Sequence, residues 1–178
     1  MGRLDNRNAI VTGAAGGIGG AICRAFIAEG AHVLAVDIRD GSLSALENAA
    51  EGRCRTQICD VSSEDEIAAA VNHAVDAFGG LDIIVNNAVL DLPLAPLTEI
   101  SLADWRRCWS VNMDGAFLLS RAAIPEMAKR GGGSIIHIAS QLGRVAKHGR
   151  PWYCAQKGAL INLAKAMALD HAAQGIRV

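Results

Sequence analysis

Short, nearly continuous apolar runs alternate along the chain with longer stretches whose apolar residues recur every three to four positions. The apolar runs cover 9–12, 32–36, 83–85 and 134–138, each with the length and composition of a strand buried on both faces. The stretch 55–58, apolar only at Ile58, is read as the third strand in chain order. The clearest helix spans 63–78. Ser63 and Glu66 make a capping box there, and Glu64 and Asp65 place negative charge in the first turn. Ile67, Val71, Ala74, Val75 and Phe78 then keep helical spacing. Two longer patterns, 102–129 and 152–173, carry apolar residues around much of their circumference, and Pro125 is expected to kink or end the first. Strand and helix in alternation predict right-handed βαβ units, and so an α/β fold with a doubly wound parallel sheet. No linker, repeat or low-complexity segment divides the chain, which predicts one domain over 1–178.

The polar residues fall in a pattern of their own. Gly13 follows the first strand, Asp37 the second, Asp60 the third, Asn86 and Asn87 the fourth, and Ser140 the fifth. Open parallel sheets bind their ligands at the carboxyl ends of the strands, so these residues line one edge. Turn chemistry accounts for Asp60 or Asn87 singly; it does not account for all of them beside a glycine loop. That loop reads Thr12-Gly13-Ala14-Ala15-Gly16-Gly17-Ile18-Gly19. Gly13 permits the tight turn out of the strand, Gly17 lets a pyrophosphate approach the backbone, and Gly19 lets the following helix pack on the sheet. The helix start turns free N–H groups and the positive end of its dipole towards phosphate. A carboxylate at Asp37 accepts hydrogen bonds from ribose hydroxyls and repels a 2′-phosphate. No Lys or Arg lies in the loop, so NAD is expected over NADP.

Tyr153 and Lys157 stand four residues apart in the last helical pattern, on one face and one turn apart. An ammonium beside a phenol favours the phenolate. The pair is thereby suited to exchanging a proton with an alcohol or carbonyl.

Together Thr12–Gly19 as TGxxxGxG, Asp60-Val61, Asn86-Asn87-Ala88, Asn112, Ser140 and Tyr153-x-x-x-Lys157 resemble the short-chain dehydrogenase/reductase family in order and spacing, from Asn8 to the last residue. The resemblance implies a Rossmann-like fold and hydride transfer between a nicotinamide and a secondary alcohol or ketone. It implies Tyr153 as general acid/base, with Lys157 supporting it and holding the nicotinamide ribose. Ser140 would bond the substrate oxygen, and Asn112 would fix a proton-relay water. The cofactor-binding set would be Gly13, Gly17, Ile18, Gly19, Asp37, Asp60, Val61, Asn87, Tyr153 and Lys157. Two departures stand out. Val89 replaces the glycine of Asn-Asn-Ala-Gly, which is costly if that position needs positive φ. The chain also stops at Val178, where the family's sixth strand is only starting, so a fragment of a longer protein is expected.

Composition narrows the partners. A net charge of −1 over 178 residues argues against nucleic acid or an anionic membrane surface. No apolar run reaches the roughly 18 residues of a spanning helix, and Asn6 stands where N-myristoylation wants Ser or Thr. Five cysteines, Cys23, Cys54, Cys59, Cys108 and Cys154, make no Cys-x-x-Cys pair, which suits buried free thiols in the cytoplasm. Histidines 32, 73, 137, 148 and 171 show no ligand spacing, so no metal is expected. Between Ser140 and Tyr153 lie Arg144, Lys147, His148 and Arg150. A solvated loop is the plainer explanation, and a pocket for an anionic substrate group the sharper one. Apolar residues beyond what one sheet face covers point to C₂ pairing of two copies through 102–129 and 152–173, and the resemblance implies a homodimer or homotetramer built on these helices. The expected function is an NAD-dependent dehydrogenase for a small alcohol or ketone such as a sugar, sugar acid or hydroxy acid. A 3-oxoacyl thioester reductase and a non-catalytic NAD-binding module are the alternatives.

Overall fold

The computed structural model describes residues 2–178. Six parallel strands form one sheet in the order β3-β2-β1-β4-β5-β6. They are β1 (Asn8–Thr12), β2 (His32–Asp37), β3 (Cys54–Ile58), β4 (Ile83–Asn86), β5 (Gly133–His137) and β6 (Ile176–Arg177). The fold is Rossmann-like, as the strand-helix alternation predicts. The register pairs Thr12 with Val36, Asp37 with Ile58, and Asn86 with His137. Polar strand ends therefore meet at one edge. Strand order reverses between β1 and β4, and a sheet of this kind opens its binding crevice at that reversal.

The sheet is apolar on both faces because both are covered. Ile10, Leu34, Ile84 and Ile135 pack with Ile67 and Val71 of α3 (Glu64–Phe78) and Leu119 and Met127 of α5 (Gly115–Lys129). On the opposite face Val11, Val33, Ala35 and Val85 meet Cys23 of α1 (Gly17–Ala28) and Leu43 and Leu46 of α2 (Leu43–Ala49). Each such Leu, Ile or Val contributes roughly 1.5–3 kcal/mol when fully buried. Helix α2 has too few residues for a clear period, which is why the pattern missed it.

Several expectations change in detail. Ser63 caps α3 by accepting the Glu66 N–H at 3.3 Å, but the Glu66 carboxylate takes the Asp60 N–H at 2.7 Å instead of completing the box. The 102–129 stretch is α4 (Leu102–Trp109), a π-helical turn (Ser110–Asp114) and α5. The irregularity falls at Asn112, and α5 runs on past Pro125 to Lys129. In the π turn Gly115 N–H reaches back to Ser110 O. Gly115 also lies against Val61, whose Cγ2 would stand 2.8 Å from an added Cβ. Helix α6 (Pro151–Asp170) opens with its proline at the tolerated first position and stops short of Ala173. Val89 escapes the expected penalty, since Asn6 and Glu51 are the only non-glycine residues with positive φ among those described. All five cysteines are free. Burial pushes the Cys23 and Cys59 thiols up to about 12 and Cys54 up to about 11.

Candidate active site

The glycine loop leaves β1 at Gly13, whose φ of 67° suits glycine. Gly19 is buried, and a Cβ there would stand 2.2 Å from Gly13 O. Gly17 is the opposite case: a Cβ would meet nothing within 4 Å, so its backbone faces open space. No side chain caps α1 and no acid lies in its first turn. Its free N–H groups and dipole are left for an anion. Asp37, 9% exposed, accepts from Ala15 N–H at 3.0 Å and Arg39 N–H at 3.2 Å. The carboxylate thus braces the loop and keeps lone pairs free. Ile18, beside the opening, is 63% exposed.

The remaining residues of the predicted cofactor set shape the rim. Asp60 Oδ1 accepts from Ser62 N–H at 2.9 Å and Ser62 Oγ at 2.7 Å, closing its own turn. Val61 is buried against Gly115. Asn87 Nδ2 donates to Thr12 O at 2.9 Å and Gly13 O at 3.2 Å, stitching β4 to the glycine loop. Thr12 completes the stitch by accepting the N–H groups of Asn87 and Ala88, both at 3.1 Å. Its signal in the sequence is only a hydroxyl at a strand end.

Lys157 is 6% exposed, and burial holds its ammonium below the usual lysine range. It donates to Ile138 O at 2.6 Å and stands 5.5 Å from the centroid of the Tyr153 ring. Nothing in the sequence flags that carbonyl. Ser140 precedes a short 3-10 turn (Gln141–Gly143) and accepts the Leu142 N–H at 3.1 Å. Its O–H remains free to donate. Gly143 presses on α6, where an added Cβ would stand 2.6 Å from Lys157 O. This contact holds the Ser140 segment to the helix carrying Tyr153. Asn112 lies in the π turn, 5% exposed. Its amide bonds Leu90 N–H at 2.7 Å, Leu90 O at 3.0 Å and Gln156 at 2.8 Å. Asn112 and Lys157 line one small cavity with Thr12, Val61, Asn86 and Ala88, leaving about 10 Å³ for the centre of a water molecule.

His137 closes this region from β5. Asn86 Nδ2 donates to both Ser120 Oγ at 3.3 Å and His137 Nδ1 at 3.1 Å, so Nδ1 is the acceptor and the ring is neutral. Burial first, and the Lys157 charge second, lower the imidazole to about 4. Of the cations between Ser140 and Tyr153, Arg150 is committed. It pairs with Asp91 at 3.2 Å and lies 5.4 Å from the centroid of Tyr153. Arg144, Lys147 and His148 are exposed. Among the described residues, no three His, Cys, Asp or Glu side chains gather as a metal site. None of the described helices is long and apolar enough to cross a membrane.

Known proteins share this arrangement of elements. D-threitol dehydrogenase of Mycolicibacterium smegmatis is 38% identical over 99% of the chain and 68% of its own length. The crystal structure of an NAD+-bound xylitol dehydrogenase superposes with a TM-score of 0.94 at 31% identity, over 99% of this chain and 69% of that one. A 3-ketoacyl-(acyl-carrier-protein) reductase from Brucella melitensis, complexed with NADH, gives 0.94 at 29% identity, over 98% and 74%. The chain thus spans about two thirds to three quarters of these relatives' lengths. The family profile described as short chain dehydrogenase matches residues 7–178. With that match added to the glycine loop, the parallel sheet and the Tyr153–Lys157 pair, the chain belongs to the short-chain dehydrogenase family of oxidoreductases.

Proposed function

We propose that the chain is the nucleotide-binding and catalytic domain of an NAD-dependent dehydrogenase for a small secondary alcohol, with polyols as the favoured class. The observation that carries this is the placement of Lys157, bonded to Ile138 O and set against the Tyr153 ring at the mouth of a glycine cradle. The polyol class is supported by the names of two relatives, a threitol and a xylitol dehydrogenase. The chain's own residues fit the cofactor. Gly17 offers an open backbone and α1 an uncapped N-terminus for the pyrophosphate, with Gly13, Ile18 and Gly19 around them. Asp37 would take the adenosine ribose, which favours NAD, and Asp60, Val61 and Asn87 would form the rim. When bound, the nicotinamide supplies the hydride acceptor or donor.

Tyr153 takes the hydroxyl proton of the alcohol, or returns it to the carbonyl oxygen in the reverse direction. Ser140 donates its free O–H to the same oxygen. The Lys157 ammonium stands beside the Tyr153 ring and keeps N–H donors for the nicotinamide ribose. Asn112 and Lys157 border a space that matches a single water, which suits a proton relay away from Tyr153. A 3-oxoacyl thioester reductase is the second reading, supported by the likeness to the Brucella melitensis enzyme. An anionic substrate group gains less support, because Arg150 already serves Asp91. Pairing of two copies through α4, α5 and α6 is supported by Trp105 and Trp109, stacked at 5.8 Å beside the exposed Leu102, and by the half-exposed Phe117 of α5. Buried free thiols suit the reducing cytoplasm.

The test is NADH formation by the full-length protein over a panel of polyols, diols, hydroxy acids and sugars, with 3-oxoacyl thioesters assayed in reverse. Turnover confined to thioesters would favour the second reading. NAD binding with no turnover on any substrate would leave only a binding module. Sedimentation of the same protein as a monomer at micromolar concentration would remove the proposed pairing.

A further inference from the structure

Gln156 is 1% exposed and shares the buried face of α6 with Trp152 and Leu160, one turn to either side. An amide in such a stripe is costly unless both of its ends are bonded. Only one end is. Gln156 Oε1 accepts from Asn112 Nδ2 at 2.8 Å, while Gln156 Nε2 meets no acceptor among the described residues. Turning the amide over gives no relief. Asn112 Oδ1 takes the Leu90 N–H at 2.7 Å, and Asn112 Nδ2 gives its other proton to Leu90 O at 3.0 Å. The backbone of Leu90 thereby identifies both ends of the Asn112 amide. The group facing α6 is a donor, and Gln156 must present its oxygen. Leu or Met would fill the position without a stranded N–H, so stability alone favours an apolar side chain here. What an apolar side chain lacks is the bond to Asn112.

That bond joins two parts of the site. Asn112 belongs to the π turn Ser110–Asp114, an irregular segment between α4 and α5 that its side chain ties to Leu90 and to Gln156. Gln156 lies directly before Lys157 and three residues after Tyr153 on a regular helix. We propose that Gln156 is a positioning residue: by accepting from Asn112 it registers the π turn against α6 and sets Asn112 relative to Lys157 and Tyr153. The role rests on the dehydrogenase reading above.

The experiment uses the full-length protein. Gln156→Met removes the acceptor at nearly constant length, and Gln156→Glu keeps an oxygen towards Asn112. Gln156→Met is expected to lower kcat on the order of tenfold, with KM for NAD changed less than about twofold, and Gln156→Glu to recover most of the loss. In an Asn112→Ala background Gln156→Met should cause no further fall, because the residue acts through Asn112. A purely structural role would give additive losses. A second readout needs no turnover. The Asn112 side-chain amide protons, followed by NMR hydrogen exchange, should be protected in the unmodified protein and in Gln156→Glu, and exposed in Gln156→Met. No turnover by the unmodified protein overturns the dehydrogenase reading and this role with it. Turnover by Gln156→Met within about twofold of the unmodified protein, or additive losses, overturns the positioning role alone. Where Gln156→Met does not fold, Gln156→Glu decides: undiminished kcat with its Asn112 amide unprotected, or a tenfold loss of kcat with that amide still protected, overturns the role.

Discussion

The proposed cofactor cradle and the proposed catalytic cluster lie on the same sheet edge and are built by opposite means. The cradle is one contiguous loop, Thr12 to Gly19, braced by Asp37, and its working parts are missing side chains. Gly17 leaves space, Gly19 permits contact with Gly13 O, and an uncapped helix presents its backbone. The proposed catalytic cluster gathers Asn112 from the π turn, Ser140 from the loop after β5, and Tyr153 and Lys157 from α6, and its working parts are side chains. Those side chains are held by backbone oxygens of loops that no motif names, Ile138 for Lys157 and Leu90 for Asn112. A cradle of this kind tolerates no added atoms; a cluster of this kind tolerates no lost bonds.

The strongest test of that contrast lies in the cluster. Tyr153→Phe removes one oxygen and should lower kcat on the order of a thousandfold, as expected for losing a general acid/base, while NADH affinity stays nearly constant. Lys157→Ala should damage both, since it has a partner on each side. A Tyr153→Phe variant that keeps most of its kcat would break the assignment.

The cradle is probed by adding single methyl groups. Gly17→Ala places its Cβ in open space, so the unfolding midpoint should hold while NAD affinity falls about tenfold or more. Gly19→Ala drives a Cβ against Gly13 O and should lower both affinity and stability, the latter by about 1–3 kcal/mol. NAD titration with thermal melts reads both. Equal melting losses in the two variants would erase the distinction drawn between them.

Asp37→Ser sharpens the reading of the cradle's far end. Loss of the carboxylate should weaken NADH several-fold, roughly 1 kcal/mol. It should also strengthen NADPH, because exposed Arg39 stands two residues on. Tighter binding of NADPH than NADH to the unmodified protein would end the NAD preference.

The smallest effect concerns pH. His137 is lowered in the fold to about 4 from an ordinary 6.5, so the folded protein binds fewer protons than the unfolded chain between those values. Stability should therefore be full above about pH 6.5 and fall as pH drops towards 4. The partly exposed ring makes this on the order of 1 kcal/mol, or about 2–4 °C of Tm. His137→Gln cannot titrate and should flatten that part of the melting profile. An unchanged slope would assign the acid sensitivity elsewhere.

Strands, the 63–78 helix and the glycine loop were legible because each is a local pattern of burial or of missing side chains. Continuous apolar runs and period-3.6 signals follow from which faces must be apolar, and a glycine loop is legible wherever side chains would collide. The seven-residue α2 lay below that signal, and Pro125 was a misleading one. The α5 helix runs through the proline, while the real irregularity sits at Asn112, where Leu90 and Gln156 bind a side chain within the helix.

The sequence by itself determined the fold class, and it offered the glycine loop and the Tyr153–Lys157 pair as candidates, since these depend on patterns local to one element. Tertiary structure decided what surrounds them. It placed Ile138 O on Lys157, turned Asn87 to bracing the rim, spent Arg150 on Asp91, and joined Gln156 to Asn112. Each of these links spans residues far apart in the chain or hangs on a backbone carbonyl. A carbonyl is common to every residue, so only the packed fold shows which one a buried cation or amide will meet.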